Sequence, residues 1–377
     1  MRVTHLGKFY PPAKGGMEAI VRLICRETAN HVQNRVLAAN DDRFARVEEL
    51  DGAVEVVRLP AIVKIGAVAV CPGFPAQLAR EDADLIVLHE PNPIALVAYF
   101  LVRPSARLIV WFHSDVIRPS WRYRLFYRPF LRFALKSAAR IVVSSAPLKE
   151  TAPALREWRA KCMVIPFGVE RPVESASVAA RAEEIRREMK QPFALFVGRL
   201  VGYKGVDVLI DALRHSSAAA VIVGDGPLKG ALEAQAHAAG IFDRVRFAGQ
   251  VSNDELAALY RACDLFVLPS VTRQEAFGVV QIEAMSRAKP VVSTELGTGV
   301  SWVNVHGETG FVVPPRDPVA LREAIERLLG NSMERQKMGT AAAERARSVF
   351  AVDRMVNAIL AMYHEIGGTG VRRQTVA

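Results

Sequence analysis

Ala194-Leu195-Phe196-Val197-Gly198-Arg199-Leu200-Val201-Gly202-Tyr203-Lys204-Gly205 reads as a short apolar strand that ends on a glycine and turns, carrying two cations, toward a helix. A strand covered on both faces shows a continuous apolar run instead of alternation, and such runs mark a parallel sheet flanked by helices. The pattern repeats outward in both directions. Residues 220–224, 245–249, 265–269, 290–293 and 311–313 continue it toward the C-terminus, and 3–6, 35–39, 54–59, 85–89, 108–112, 141–144 and 163–166 precede it, with helical stretches between. Two doubly wound α/β domains follow. The length of 377 residues, about twice that of a usual domain, agrees.

The domain break is expected after Ile165-Pro166-Phe167-Gly168-Val169, where proline and glycine close a strand and a polar segment begins. Residues 1–169 then form the first domain and 170–350 the second. Residues 351–377 supply an amphipathic helix, expected to cross back to the first domain, and a tail. Asp317-Pro318 opens an earlier helix with a capping carboxylate and a proline at its first position.

Hydrophobic residues make up 51% and charged residues 23%, the balance of a folded globular chain. The longest apolar run, 93–102, is too short to span a bilayer. Met1-Arg2-Val3-Thr4-His5-Leu6 reads at once as a strand and lacks the apolar core of a signal peptide, so a cytoplasmic location is expected. Cys25, Cys71, Cys162 and Cys263 are scattered without a Cys-x-x-Cys pair, which argues for reduced, packed thiols and against a zinc site.

Of the net charge of +10, most lies in the first half: residues 1–170 hold 24 Lys/Arg against 16 Asp/Glu. Between Val116 and Lys149 eight cations occur and no acid. There Trp121, Tyr123, Phe126, Tyr127, Phe130 and Phe133 interleave with Arg118, Arg122, Arg124, Arg128, Arg132 and Lys136. A helix of this composition lies in the headgroup layer of an anionic membrane, with Trp121, Arg124, Arg128 and Arg132 as contacts, or is an ordinary amphipathic helix with its aromatics in the core. No nucleic-acid-binding motif accompanies the basic stretch, so no nucleic-acid partner is expected.

In doubly wound sheets ligands bind at the carboxyl ends of the strands, and the loops there hold the unusual residues. Gly15-Gly16 ends the first loop and allows close backbone approach at a helix start, as a plain turn also would. No Gly-x-Gly-x-x-Gly fingerprint is present there, which argues against a nicotinamide or flavin enzyme. His113 follows an apolar strand in Trp111-Phe112-His113-Ser114-Asp115, as a structural or a functional histidine. Arg199 and Lys204 bracket a glycine-flanked turn, where they grip a diphosphate or are simply surface cations. Gly224-Asp225-Gly226-Pro227 follows another strand; Asp225 reads as a helix cap and the glycines as a place of close packing. Finally, Glu275-Ala276-Phe277-Gly278-Val279-Val280-Gln281-Ile282-Glu283 sets two carboxylates eight positions apart around a helix expected to begin near Phe277. Glu275 then lies in the loop and Glu283 about two turns inside, with helix-start N–H groups between them as an anion site; the plain alternative is a loop acid and an exposed helix acid.

The ordered set Gly15-Gly16, His113, Gly198-Arg199 with Lys204-Gly205, Gly224-Asp225-Gly226-Pro227 and Glu275-x7-Glu283 resembles family-4 retaining glycosyltransferases. The resemblance implies the GT-B fold, two Rossmann-like domains facing a deep interdomain cleft. Phe112-His113-Ser114-Asp115, Ile165-Pro166-Phe167-Gly168 and Glu295-Leu296-Gly297-Thr298-Gly299-Val300-Ser301 further resemble bacterial mannosyltransferases that extend polyprenyl-diphosphate-linked O-antigen or exopolysaccharide intermediates from GDP-mannose. On that likeness Arg199 and Lys204 neutralise the donor diphosphate, helped by N–H groups of Phe277, Gly278 and Val279. Glu283 receives the ribose hydroxyls, Glu275 and His113 hold the transferred sugar, and Gly15, Gly16, Gly198, Gly224 and Gly226 line the donor. No metal or other cofactor is implied, and Asp82-Ala83-Asp84, which precedes its strand, reads as structural. The implied partners are a nucleotide-sugar donor, a lipid-diphosphate-linked saccharide acceptor and the inner face of the plasma membrane. A UDP-sugar donor, or a nucleotide-sugar-binding protein without transfer activity, is the alternative.

Overall fold

The computed structural model describes residues 1–13, 15–40, 46–65, 68–115, 123–172 and 175–368. The chain forms two compact units, Met1–Phe167 together with the chain from Asp353 onward, and Gly168–Val352. The passage into the second unit thus falls two residues before the break expected from the sequence. The reason is local: Val169 donates its N–H to the Phe350 carbonyl at 2.9 Å and bridges to Ala351. A Cβ on Gly168 would come within 2.6 Å of Val352 Cα, so only glycine lets these two segments run side by side.

The first unit holds β1 (Arg2–Leu6), β2 (Gln33–Ala39), β3 (Val47–Asp51), β4 (Val54–Leu59), β5 (Val63–Ile65), β6 (Val68–Val70), β7 (Leu85–Glu90), β8 (Arg107–Phe112), β9 (Arg140–Val143) and β10 (Cys162–Val164). Eight of them form one sheet in the order β10-β9-β8-β7-β1-β2-β4-β3, parallel except where β3 runs against β4. β5 and β6 make a separate antiparallel hairpin. The strand order reverses between β1 and β7, so the loops after β1, β7 and β8 open near one point of the sheet. The closing helix, Val352–Gly367, buries Met355, Ile359, Met362, Tyr363 and Ile366. Its end is tied to the first unit by Arg140 on Glu365 and by the Arg107 guanidinium on the Ile366 carbonyl.

The second unit holds β11 (Phe193–Val197), β12 (Ala219–Val223), β13 (Val245–Gly249), β14 (Leu265–Leu268), β15 (Val291–Thr294) and β16 (Gly310–Val313), in the parallel order β13-β12-β11-β14-β15-β16. This is the doubly wound order, with its switch point between β11 and β14. Phe193, Phe196 and Phe266 are wholly buried, each contributing roughly 2 kcal/mol of transfer free energy. Asp317 caps the helix Pro318–Gly330, accepting from the N–H groups of Val319 and Ala320 at 3.1 and 3.0 Å.

The basic stretch divides in two. Residues 116–122, with Arg118, Trp121 and Arg122, lie outside the described residues, as does the side chain of Arg124. Beyond them a π-helical turn, Tyr123–Tyr127, leads into the helix Arg128–Ser137. Phe130 and Phe133 both meet Phe100 edge-on at 5.1 Å, so these aromatics serve the core. Arg132 forms a two-pronged pair with Glu157 at 2.9 and 2.8 Å, with about half of each side chain exposed. That carboxylate lies just past the acid-free window of sequence. Leu125 and Phe126, at 63% and 65% exposure, remain as apolar side chains on the surface beside exposed Arg128.

Candidate active site

The loops after β11, β12 and β14 are joined backbone to backbone. Gly198 N–H donates to Val223 O at 3.0 Å, Leu200 to Asp225 O at 3.0 Å, Leu228 to Leu200 O at 3.1 Å and Val271 to Tyr203 O at 2.8 Å. This joining explains the glycines. Gly224 has φ of 132°, and a Cβ there would lie 1.9 Å from Gly198 O; one on Gly226 would lie 2.5 Å from Leu200 O. The close packing expected at Gly224 and Gly226 is therefore made by the neighbouring loop, the one that carries Arg199. Asp225 is no helix cap: its carboxylate accepts from Gly226 N–H at 2.8 Å, and the next helix begins only at Lys229, past Pro227.

Lys204 and Glu275 meet across the switch point. Lys204 Nζ lies 2.6 Å from Glu275 Oε2, with both side chains only about a tenth exposed. The Ser270 hydroxyl donates to the same oxygen at 3.0 Å, and the Glu275 carbonyl accepts from Thr298 Oγ1 at 2.8 Å. Two groups expected on phosphate and sugar respectively thus form one buried ion pair through Glu275 Oε2. Arg199 is exposed and makes no ion pair among the described residues. Lys204 is accordingly a positioned, partly neutralised charge, whereas Arg199 is a free one.

The helix after Glu275 spans Val279–Met285, two residues later than expected, because Gly278 sits at φ 72° outside the helical region. Glu283 therefore lies little more than one turn inside. The Val279 and Val280 N–H groups fall in the first turn, where no intrahelical acceptor exists. The single hydroxyl hydrogen of Tyr260 is directed to Glu283 Oε2 at 2.8 Å, with Val280 O a second, longer acceptor at 3.2 Å. Burial raises the Glu283 carboxyl above the ordinary carboxylate range, opposed by the Tyr260 hydroxyl and the Arg287 charge.

In the first unit the helix Gly16–Thr28 starts directly after Gly15, and a Cβ on Gly16 would meet nothing within 4 Å. His113 follows β8, is buried, and lies between the rings of His89 and Phe167 with centroids 5.2 and 5.6 Å away. Its backbone N–H donates to the Glu90 carbonyl at 3.0 Å. Glu90, at the end of β7, is fully buried; burial pushes its carboxyl up to about 8 against hydrogen bonds from the Tyr127 hydroxyl and the Asn92 N–H. His5, His89, Glu90, Tyr260 and Ser270 were not singled out from the sequence, and Tyr127 only as an aromatic of the basic stretch. His89 and Glu90 carried the same signal as His113, polar residues closing an apolar strand. Asp82 and Asp84 both face Arg2, at 2.5 Å from its guanidinium and 2.7 Å from its N–H.

Residues 15–168 match the family described as glycosyl transferase 4-like domain, and 179–345 the family described as glycosyl transferases group 1. The chain is 35% identical to the D-rhamnosyltransferase WbpZ of Pseudomonas aeruginosa, over 93% of this chain and 92% of that one. It belongs to the group 1 glycosyltransferases. The O-antigen chain mannosyltransferase C of Escherichia coli is 32% identical to this glycosyltransferase over 96% of this chain and 98% of its own. Among solved structures, sucrose-phosphate synthase from Thermosynechococcus elongatus superposes with a TM-score of 0.81 at 21% identity, covering 98% of this chain and 100% of that one. The glycosyltransferase fold is GT-B, each unit a doubly wound parallel sheet.

Proposed function

We propose that this glycosyltransferase moves an α-mannosyl unit from GDP-mannose, with retention, to a polyprenyl-diphosphate-linked saccharide in bacterial O-antigen or exopolysaccharide assembly. The observation that carries the reading is the set of groups at the β11/β14 switch point: free Arg199, Lys204 braced on Glu275, and Glu283 on the adjoining helix. Arg199 and Lys204 stabilise the diphosphate as negative charge develops on it, without a metal. Glu283 takes the ribose hydroxyls through Oε1, and Glu275 Oε1 takes a sugar hydroxyl. His113 takes a sugar hydroxyl. The acceptor hydroxyl attacks C1 on the face from which the phosphate leaves. The C1–O bond to phosphate breaks, the new C1–O bond forms, and the hydroxyl proton passes to the departing phosphate oxygen, so no protein nucleophile is needed.

The relative named as an O-antigen chain mannosyltransferase supports the sugar and the pathway. The relative named as a D-rhamnosyltransferase supports a second reading, transfer of the 6-deoxy form of mannose. The enzyme works on the cytoplasmic face of the membrane, which Leu125, Phe126 and Arg128 touch. Thermal stabilisation by a panel of GDP-, UDP- and ADP-sugars tests the donor. A shift selective for GDP-mannose and lost in Glu283→Ala is expected; selective stabilisation by a UDP-sugar would reject the mannosyl reading, and binding without turnover would mark a non-catalytic binder.

A further inference from the structure

Three buried imidazoles in the first unit form an unbroken row. His5 Nδ1 lies 3.0 Å from His89 Nε2, and His89 Nδ1 lies 2.9 Å from His113 Nε2. The rings lie end to end and nearly coplanar, with centroids 5.3 and 5.2 Å apart and planes 18° and 26° from parallel. At the far end Asn34 Oδ1 lies 3.3 Å from His5 Nε2.

The row has a direction, and helix carbonyls set it. The Thr28 hydroxyl donates its single hydrogen to Ile24 O at 2.7 Å, so toward Asn34 it can only accept. The Asn34 amide nitrogen donates to Thr28 Oγ1 and to Cys25 O, both at 2.8 Å. Both amide hydrogens are thereby engaged, Oδ1 faces His5, and His5 Nε2 must carry the hydrogen. A neutral imidazole has one donor and one acceptor nitrogen. His5 Nδ1 therefore accepts from His89 Nε2–H, and His89 Nδ1 accepts from His113 Nε2–H. The outer nitrogen of His113, Nδ1, keeps a bare lone pair. Burial keeps the rings neutral, lowering His113 to about 3 and His5 to about 4, with His89 also well below its usual value. His113 Nδ1 has no protein partner among the described residues and is not one of the buried polar atoms left unsatisfied, so it is open to a ligand.

We propose that Asn34, His5 and His89 are positioning residues that fix His113 as the Nε2–H tautomer, so that Nδ1 selects for a sugar hydroxyl and against a phosphate oxygen. A hydroxyl can donate to the lone pair; an ionised phosphate oxygen cannot. The sugar part rests on the proposed donor reading, whereas the fixed polarity belongs to the protein alone.

Long-range proton–nitrogen correlation on the intact protein with ¹⁵N-labelled histidine reads the tautomers directly, without ligand. A single Nε2–H form is expected at His5, His89 and His113. In His89→Phe, which keeps a flat ring of similar size but neither nitrogen, His113 becomes a mixture of tautomers. His5→Phe serves the same purpose should His89→Phe fail to fold. Finding Nδ1–H or a mixture at His113 in the native protein, or an unchanged single tautomer in the variant, would overturn the proposal whatever the donor proves to be. With GDP-mannose, or the donor that stabilisation selects, His89→Phe should raise donor KM about three- to tenfold, the range of one hydrogen bond, with little change in kcat. One monodeoxy sugar analogue should have the same KM with both proteins; equal losses for every analogue would overturn the recognition role.

Discussion

Lys204 and Arg199 carry like charges on one loop, yet their surroundings predict opposite behaviour. Removing Lys204 leaves Glu275 buried against Ser270 without its cation, and breaking such a pair costs about 3 kcal/mol. Lys204→Ala should therefore lower Tm by about 6–12 °C as well as abolishing transfer, measured by calorimetry and turnover. Arg199→Ala should leave Tm within about 2 °C while lowering kcat at least about a hundredfold. A second prediction concerns Glu90. Its folded pKa, raised to about 8, lies above the ordinary carboxylate value, so its contribution to stability is full below about pH 4.5 and is lost as pH rises to 8. Glu90→Gln should remove that part of the fall in Tm between pH 5 and 8, and an identical slope in both proteins would contradict it. The residue types at these positions were legible in the sequence, but their pairing was not. Lys204 and Glu275 are 71 positions apart, and only the β11/β14 adjacency brings them together.

Elements were more legible than pairings. Each strand expected from the sequence is present with its ends displaced by at most two residues, because buried parallel strands are uninterrupted apolar runs. β3, Val47-Glu48-Glu49-Leu50-Asp51, escaped notice because it is a charged, exposed edge strand paired on one side only. The helix near Phe277 started late for a backbone reason, the positive φ of Gly278, that composition does not reveal. The glycines after β11 and β12 illustrate a shift of meaning: they admit one loop against another and thereby aim Arg199. Gly224→Ala should accordingly destabilise the second unit severely, since the new methyl would overlap Gly198 O and the φ of 132° is strained for alanine. Denaturant unfolding checks this; a loss below about 1 kcal/mol would mean the loops are not locked together.

At the scale of the molecule, the proposed membrane contact rests on the exposed side chains Leu125 and Phe126 beside Arg128, in the more positively charged half of the sequence. The triple change Leu125→Ser, Phe126→Ser and Arg128→Gln should weaken sedimentation with anionic vesicles at least about tenfold while leaving donor-induced stabilisation unchanged. Equal sedimentation of both proteins would remove the membrane from the account. The most direct test of the central claim is the initial rate of mannose transfer from GDP-mannose to a polyprenyl-diphosphate-linked saccharide, with the anomeric configuration of the product read by NMR. The account predicts an α-linked product, formed at least about a hundredfold more slowly by Arg199→Ala. A β-linked product, or transfer undiminished in that variant, would contradict it.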